Sequence, residues 1–157
     1  MSDSTKNIQG VLQDCEFFKG LDKVEIGKLA RLCAVEKYDI GEYVFRQGDF
    51  GEHIYVVSEG RLMLERTVDL GSRKGNVVIG LLGKGRVLGC WSTLLGEAHI
   101  LMSSAVGEKP TKVIVMRGSE LRRMMIENTV FGFTVMERLC FLLRDRIQDA
   151  YGALEKI

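Results

Sequence analysis

The residues that could hold a ligand are concentrated in one stretch, VLGCWSTLLGEAHILMSSAV, at positions 87–106. Glycines and small hydroxyl side chains in such a loop could surround a phosphate group with N–H and O–H donors. The stretch contains neither arginine nor lysine, and no arginine lies between Arg86 and Arg117. This composition predicts neutral hydrogen bonds to a ligand and no charged contact with an anion.

No arrangement of residues in the sequence predicts catalysis or a metal site. There is no Ser/His/acid constellation and no P-loop, and GKGRVLG at 83–89 lacks the spacing of a dinucleotide-binding loop. The two histidines, His53 and His99, do not have the spacing of zinc ligands. The four cysteines form no CxxC pair, so we expect reduced thiols. We therefore expect neither an enzyme nor a metal protein.

The charge balance argues against binding to nucleic acid or to an anionic membrane. The 157 residues carry 22 Lys and Arg against 21 Asp and Glu, a formal net charge of +1. Such a balance provides no bulk attraction to a polyanion. No segment reaches the apolar length of a membrane span, and the polar start MSDSTKNIQG lacks the apolar region of a signal peptide. We expect a cytoplasmic protein with no direct nucleic-acid partner and no membrane partner.

Three patterns of apolar and polar residues follow one another along the chain, and together they predict a single domain over residues 1–157. Residues 1–33 have apolar side chains at helical spacing. Residues 34–117 contain short β-like runs separated by glycines, which predicts a compact all-β sandwich or barrel, and SEG at 58–60 is a hairpin signal. Residues 119–157 are again helical in pattern. The fold class is therefore mainly β with flanking helices, an α+β arrangement.

The last predicted helix is apolar on more than one side in its first half. Such a helix needs two partners, its own barrel and a second chain, so we predict a homodimer, with coverage by the barrel alone as the alternative. In its second half we interpret Arg144, Arg146 and Asp149 as part of a solvated charged face. The residues predicted for the dimer helix are Val135, Leu139, Leu142, Leu143, Arg146, Ile147 and Ala150.

The phrases FFKGLDKVEIGKLARLC and YDIGEYVFRQGDFGEHIYVVSEGRLMLER resemble those of cyclic nucleotide-binding domains of the kind found as the effector domain of the catabolite activator protein. GEYVFRQGD followed by IYVVSEG is similar to that family in residue type and spacing. The resemblance covers about residues 15–150. It implies a jelly-roll-like β-roll with flanking helices, a long C-terminal helix and a regulatory, non-catalytic role.

The resemblance also implies a phosphate-binding cassette, from which residues 87–106 depart. In the family, a glutamate after a glycine accepts a hydrogen bond from the ribose 2′-hydroxyl, and an arginine holds the cyclic phosphate. Gly89 fits the glycine, but Cys90 stands at the position of the glutamate, and Leu101 or Met102 at that of the arginine. The lost charge-assisted hydrogen bonds are worth ~1.5–3 kcal/mol each. We therefore expect cyclic nucleotides to bind very weakly or not at all.

Two interpretations of this loop remain open. Either the domain senses another small molecule in a more apolar pocket, or it has lost its ligand and serves as a scaffold for dimerisation or for a partner protein. Haem, which some relatives bind in this barrel, would need His99 and Cys90 as ligands, and we do not expect it from a lone histidine beside a lone cysteine. The candidate ligand-binding residues are Gly89, Cys90, Trp91, Ser92, Thr93, Leu101, Met102, Ser103 and Ser104.

Signalling by such a domain would run through the long helix. Relatives that act as transcription factors carry a helix-turn-helix after this helix, whereas the sequence given ends at residue 157. We expect either the sensory part of a longer protein with a C-terminal effector domain or a module that contacts a partner protein. A ligand that orders the cassette would shift the packing of Phe131, Phe133 and Val135 against the barrel, provided that it binds the two arrangements differently.

Overall fold

The computed structural model describes residues 3–89, 94–96 and 100–156. The helices are α1 (Asp3–Asp14), α2 (Lys23–Ala30), α3 (Gly118–Glu127) and α4 (Thr129–Leu154). The strands are β1 (Ala34–Tyr38), β2 (Tyr43–Phe45), β3 (His53–Glu59), β4 (Leu62–Asp69), β5 (Lys74–Leu82), β6 (Val87–Leu88), β7 (Ser104–Gly107) and β8 (Thr111–Arg117). None of the described helices is long and apolar enough to cross a membrane.

The strands form two antiparallel four-stranded sheets, in the orders β1-β8-β3-β6 and β2-β7-β4-β5. Val57 and Val113 of the first sheet share one buried cluster with Leu62 and Leu64 of the second. The inner faces of the two sheets therefore enclose a common core, as in a roll. The prediction of a mainly β fold with a β-roll, flanking helices and a long C-terminal helix is confirmed.

The outer face of the first sheet is covered by the helices. Ile54 and Val56 of β3, which alternate with the inward Val57, belong to a second buried cluster together with residues of all four helices. Successive side chains of a strand point to opposite faces, so an apolar run can be buried on both. Phe18, which follows α1, stacks on Phe131 of α4 with ring centroids 6.4 Å apart. The helices are thereby packed on the roll as one layer.

The SEG segment at 58–60 is not the hairpin that the sequence predicts. Strand β3 pairs with β6 and β8, whereas β4 pairs with β5 and β7, so the chain changes sheets at this point. Gly60 has a φ of 84°, and a Cβ placed on it would lie 2.2 Å from the carbonyl oxygen of Pro110. Glycine is required here because the chain turns tightly against the segment that leads into β8. The local pattern marks a turn but does not determine which strands pair across it.

Helix α4 has one buried side and one exposed side. Phe131, Val135 and Leu139 are buried in the helix-side cluster. The Arg138 guanidinium donates a hydrogen bond of 2.7 Å from Nη1 to the carbonyl oxygen of Phe17. Phe133 is 69% exposed, so the expectation that it packs against the barrel is wrong. Its position, two residues from Phe131, places it away from the buried side of the helix.

Replacing Gly60 by alanine tests the corner between the two sheets. We expect Gly60→Ala to lower the free energy of unfolding by about 3 kcal/mol, because the methyl group adds a backbone clash to the cost of a positive φ. Gly71→Ala is the matched control, since Gly71 has a φ of 79° but its new methyl group would have no atom within 4 Å. It should lose only about 1 kcal/mol. Urea denaturation measures both values, and equal losses would contradict this account of Gly60.

Candidate functional site

A cavity of about 460 Å³ lies between the β4–β5 hairpin, the last three turns of α4 and the segment after residue 100. This volume falls in the range of about 300–1,000 Å³ that is usual for small-molecule sites. Its lining consists of Phe45, Leu64, Arg66, Val68, Val77, Ile79, Val87, Leu88, Gly89, Leu101, Met102, Ser103, Leu142, Leu143, Arg146, Ile147, Ala150, Ala153 and Leu154. Most of these side chains are aliphatic, so the cavity favours a ligand with an apolar body.

The periodicities of strand and helix explain which residues face the cavity. Leu64, Arg66 and Val68 alternate along β4 and therefore share one face of the hairpin. On α4, Leu143, Ile147 and Leu154 recur at helical spacing and form the opposite wall. One wall therefore belongs to the β-roll and the other to the long helix. A ligand between them would contact both.

Arg146 extends from α4 across the edge of the cavity to the β-roll. Its Nη2 donates a hydrogen bond of 2.7 Å to the carbonyl oxygen of Val87 and lies 3.9 Å from Oε1 of Glu16. Only 12% of its side chain is exposed. The interpretation of Arg146 as part of a solvated charged face is therefore wrong. Its stem lies on the apolar side of the helix, and only the guanidinium requires polar partners.

The carboxylate of Glu16 joins three segments of the chain. Oε1 accepts a hydrogen bond of 2.7 Å from the backbone N–H of Val87, and Oε2 lies 3.2 Å from Nε of Arg86. The backbone N–H of Glu16 donates in turn to the carbonyl oxygen of Gly85 at 3.0 Å. Because Arg146 also approaches Glu16, one negative charge is shared between two guanidinium groups. Glu16 therefore links the guanidinium groups of Arg86 and Arg146 to the start of β6.

A second cation reaches the cavity from β4. Arg66 lines it, and the Nη1 of Arg66 donates a hydrogen bond to the carbonyl oxygen of Met102. The sequence resemblance implies a family arginine at Leu101 or Met102, and the chain has none there. The tertiary structure brings a guanidinium to that segment from a strand more than 30 residues earlier. Sequence reasoning missed Arg66, and its alternation with Leu64 and Val68 on one face of β4 was the available signal.

The predicted cassette residues are only partly brought together. Gly89, Leu101, Met102 and Ser103 line the cavity. Ser104 begins β7 and is not among the lining residues, because its Oγ accepts a hydrogen bond of 2.8 Å from the backbone N–H of Gln47. The four remaining candidates lie outside the residues that the structure describes: Cys90, Trp91, Ser92 and Thr93.

Gly89 has a specific structural reason to be glycine. Its φ is 74°, and a Cβ placed on it would lie 2.8 Å from the carbonyl oxygen of His53. The backbone therefore leaves β6 in close contact with β3, where no larger residue fits without a shift. This contact sets the direction in which the chain leaves the sheet at the edge of the cavity.

The residues predicted for the dimer helix occupy two places in the structure. Val135, Leu139 and Leu142 are buried within the chain, so they cannot bind a second copy while α4 is in this position. The other four, which all line the cavity, are Leu143, Arg146, Ile147 and Ala150. Lining the cavity does not exclude these four residues from a contact with a second copy, and Ile147 is 50% exposed, so for them the dimer contact stays a prediction. The apolar pattern did not distinguish burial within the chain from burial between chains.

The described residues contain no reactive thiol at the cavity. Burial raises the pKa of Cys15 to about 11 and that of Cys33 to about 12, so both are protonated at neutral pH. Both pack in or against the helix-side core and do not line the cavity. Within the described part of the chain, no group of three His, Cys, Asp or Glu residues could hold a metal ion.

Comparison with known proteins agrees with this architecture. The family model described as "Cyclic nucleotide-binding domain" matches residues 35–128, more than half of the chain. The chain belongs to the cyclic nucleotide-binding domain family. The match extends from β1 to the end of α3 and thus includes the whole β-roll.

Several members of the cyclic nucleotide-binding domain family can be compared directly. The chain is 39% identical to cGMP-dependent protein kinase 2 of Mus musculus over 61 residues, which are 39% of this chain and 8% of the kinase. A cyclic nucleotide-binding domain from Methylobacillus flagellatus KT has a TM-score of 0.77 at 20% identity, covering 98% of this chain and 84% of that one. The sensor domain of the transcriptional regulator DNR from Pseudomonas aeruginosa has a TM-score of 0.75 at 19% identity, covering 94% and 95%. These structures share the fold.

Removing the charge of Glu16 tests whether it joins the three segments. We expect Glu16→Gln to lower the free energy of unfolding by about 1–2 kcal/mol, because two partly buried guanidinium groups lose a shared carboxylate. Glu59→Gln is the control, since the exposed Glu59 lies 3.5 Å from Nζ of Lys112. It should cost about 0.5 kcal/mol or less. Chemical denaturation gives both values, and a negligible loss in Glu16→Gln would refute the structural role assigned to Glu16.

Proposed function

We propose that this chain is a non-catalytic regulatory domain that binds a small molecule in the cavity and transmits its occupancy through α4. One observation carries the proposal: the last turns of α4 form one wall of the cavity, and the β-roll forms the other. A ligand that contacts both walls stabilises the arrangement in which they lie close together. Such a ligand shifts the position of α4 because it binds that arrangement more tightly than one in which the helix has moved away.

The composition of the cavity favours a ligand other than a cyclic nucleotide. A nucleotide presents ribose hydroxyls and a base with several polar atoms, and each of them needs a partner when it leaves water. Among the described lining residues, only Arg66, Ser103 and Arg146 have polar side chains, and none has a carboxylate that could accept from a ribose hydroxyl. This supports the prediction, made from Cys90 and Leu101, that cyclic nucleotides bind weakly.

Filling the cavity tests the proposed function. Ala150 lines the cavity and is half-buried, so Ala150→Trp would place an indole ring inside it. With decan-1-ol as a neutral apolar probe, we expect saturable calorimetric binding to the unmodified protein and slower hydrogen exchange in residues 143–154 when the probe is bound. Ala150→Trp should abolish both effects. Gln148→Trp, on the exposed side of the same helix, should retain them.

Two outcomes of this experiment would refute the proposal: binding of decan-1-ol that is unaffected by Ala150→Trp, or binding that leaves the exchange of α4 unchanged. Cyclic AMP and cyclic GMP are titrated into the protein in the same calorimetric experiment. Without the cassette's own glutamate and arginine, which the resemblance implies, their affinity should fall by about 10²–10⁴-fold relative to a complete cassette. Saturable binding in the micromolar range would overturn our account of the cassette.

A second role as a dimerisation scaffold is supported by the exposed side of α4. Val130 is 79% exposed, Phe133 69% and Phe141 51%, and their spacing places them on one face of the helix. Three large apolar side chains in one stripe are typical of a surface that another chain covers. We propose that this stripe, and not the cavity-lining residues, contacts a second copy of the chain. This role is compatible with ligand binding because the two sides of α4 are separate.

Sedimentation velocity tests the dimer. We expect Phe133→Asp to raise the dissociation constant of the dimer by about tenfold or more, since a carboxylate in an apolar contact loses its hydration without a partner. Ile40→Asp introduces the same charge at a residue that is 68% exposed and lies between β1 and β2, so it should leave the constant unchanged. A monomer at all concentrations in the unmodified protein would reject this role.

A further inference from the structure

The exposed side of α4 carries two opposite charges in the middle of its apolar stripe, and they support an inference that rests on the proposed dimerisation role. Glu137 and Arg144 are both exposed. Glu137 follows Phe133 by four residues and Arg144 follows Phe141 by three, so both lie on the face of the helix that carries the stripe. A second copy that covers Val130, Phe133 and Phe141 therefore also covers a carboxylate and a guanidinium group.

Neither charge has a strong partner within the described part of the chain. No described residue forms a hydrogen bond or an ion pair with Glu137, and the residues three and four positions away from it are uncharged. Arg144 lies 3.4 Å from Oδ1 of Asp145 in a solvent-exposed pair, and such pairs contribute little. Glu137 and Arg144 are about 10 Å apart along the axis, beyond the i,i+3 and i,i+4 contacts of a helix surface. When the stripe is covered, both charges need partners from the other chain.

The order of these charges along α4 favours one orientation of two paired helices. Two copies of one chain that use the same surface are related by a two-fold axis. If the helices run antiparallel and the axis passes between residues 140 and 141, Glu137 of each copy faces Arg144 of the other. If they run parallel and in register, Glu137 faces Glu137 and Arg144 faces Arg144, so like charges meet. Only the antiparallel arrangement gives each covered charge an opposite one.

We propose that two copies of the chain pair through the exposed sides of antiparallel α4 helices, with Glu137 of each copy bound to Arg144 of the other. In this arrangement Phe141 of each copy lies next to the two-fold axis. Val130, which is 79% exposed, faces Tyr151 of the second copy, which is 65% exposed. The apolar side chains supply the attraction between the helices. The two ion pairs select the orientation, because charge complementarity contributes more to specificity than to affinity.

Exchanging the two charges tests the ion pairs by sedimentation velocity. We expect Glu137→Arg and Arg144→Glu each to raise the dissociation constant of the dimer by about tenfold or more, because like charges then meet twice across the interface. The double variant Glu137→Arg/Arg144→Glu should return the constant to within about threefold of the unmodified value, since each pair is reversed but kept. Glu52→Arg is the matched control, because Glu52 is exposed just before β3 and lies outside α4, and it should leave the constant unchanged.

Cysteine cross-linking distinguishes the two orientations directly. The exposed Cys140 would lie near its copy in either orientation, so Cys140→Ser is the background and measures cross-linking by other cysteines. Val130→Cys and Tyr151→Cys are made separately in this background. The two positions are about 30 Å apart along α4, so in an antiparallel pair neither variant should cross-link alone. An equimolar mixture of the two variants should form a disulfide-linked dimer under copper-catalysed air oxidation, as measured by non-reducing electrophoresis.

The outcomes separate this inference from the proposed dimerisation role. If the protein is a dimer but Tyr151→Cys cross-links alone, or if the double variant stays as weak as the single ones, the antiparallel pairing is refuted while dimerisation through α4 stands. If the unmodified protein is a monomer at all concentrations, the dimerisation role itself fails. Equal weakening by Glu52→Arg would mean that net charge, and not the pairing of Glu137 with Arg144, controls the association.

Discussion

The position of α4 on the β-roll depends on arginine side chains of the helix that donate to backbone carbonyl oxygens outside it. Arg138 donates to Phe17, and Arg146 donates to Val87. Apolar packing of Phe131 and its neighbours supplies attraction without direction, whereas charge-assisted hydrogen bonds to fixed carbonyls determine rotation and register. Because the last turns of α4 form a wall of the cavity, these two bonds also determine the shape of the site.

Glu16 extends this constraint to the start of the cassette. Its carboxylate accepts a hydrogen bond from the backbone N–H of Val87 and lies between Arg86 and Arg146. One polar group therefore connects the segment after α1, the strand before Gly89 and the long helix. Among the described residues, the guanidinium groups that line the cavity come from β4 and α4, which carry Arg66 and Arg146.

The fold was largely predictable from local patterns, and the site was not. Between residues 34 and 117, short β-like runs are separated by glycines, and this pattern predicts a β-roll. It can be recognised from the sequence because turns and strand faces depend on residues that are close together in the chain. The turn at Gly60 was also predictable, but the pairing of its flanking strands was not. β3 and β4 lie in different sheets, and one partner of each, β8 and β7, begins more than 40 residues after Gly60. From the resemblance, positions such as Cys90 could be aligned with the family's cassette, but such an alignment does not predict which distant side chains line the cavity.

The sequence by itself determined the fold class and the presence of a long, largely apolar C-terminal helix. Through its resemblance to the family it also predicts that the cassette lacks its usual glutamate and arginine. Only the tertiary structure decided that Arg66 and Arg146 line one cavity, that Leu142 is buried within the chain and that Phe133 is not. The physical reason is the separation along the chain of the residues that determine each feature. Turns and amphipathic faces are set by residues a few positions apart, whereas a cavity and its charge are set by side chains that folding alone brings together.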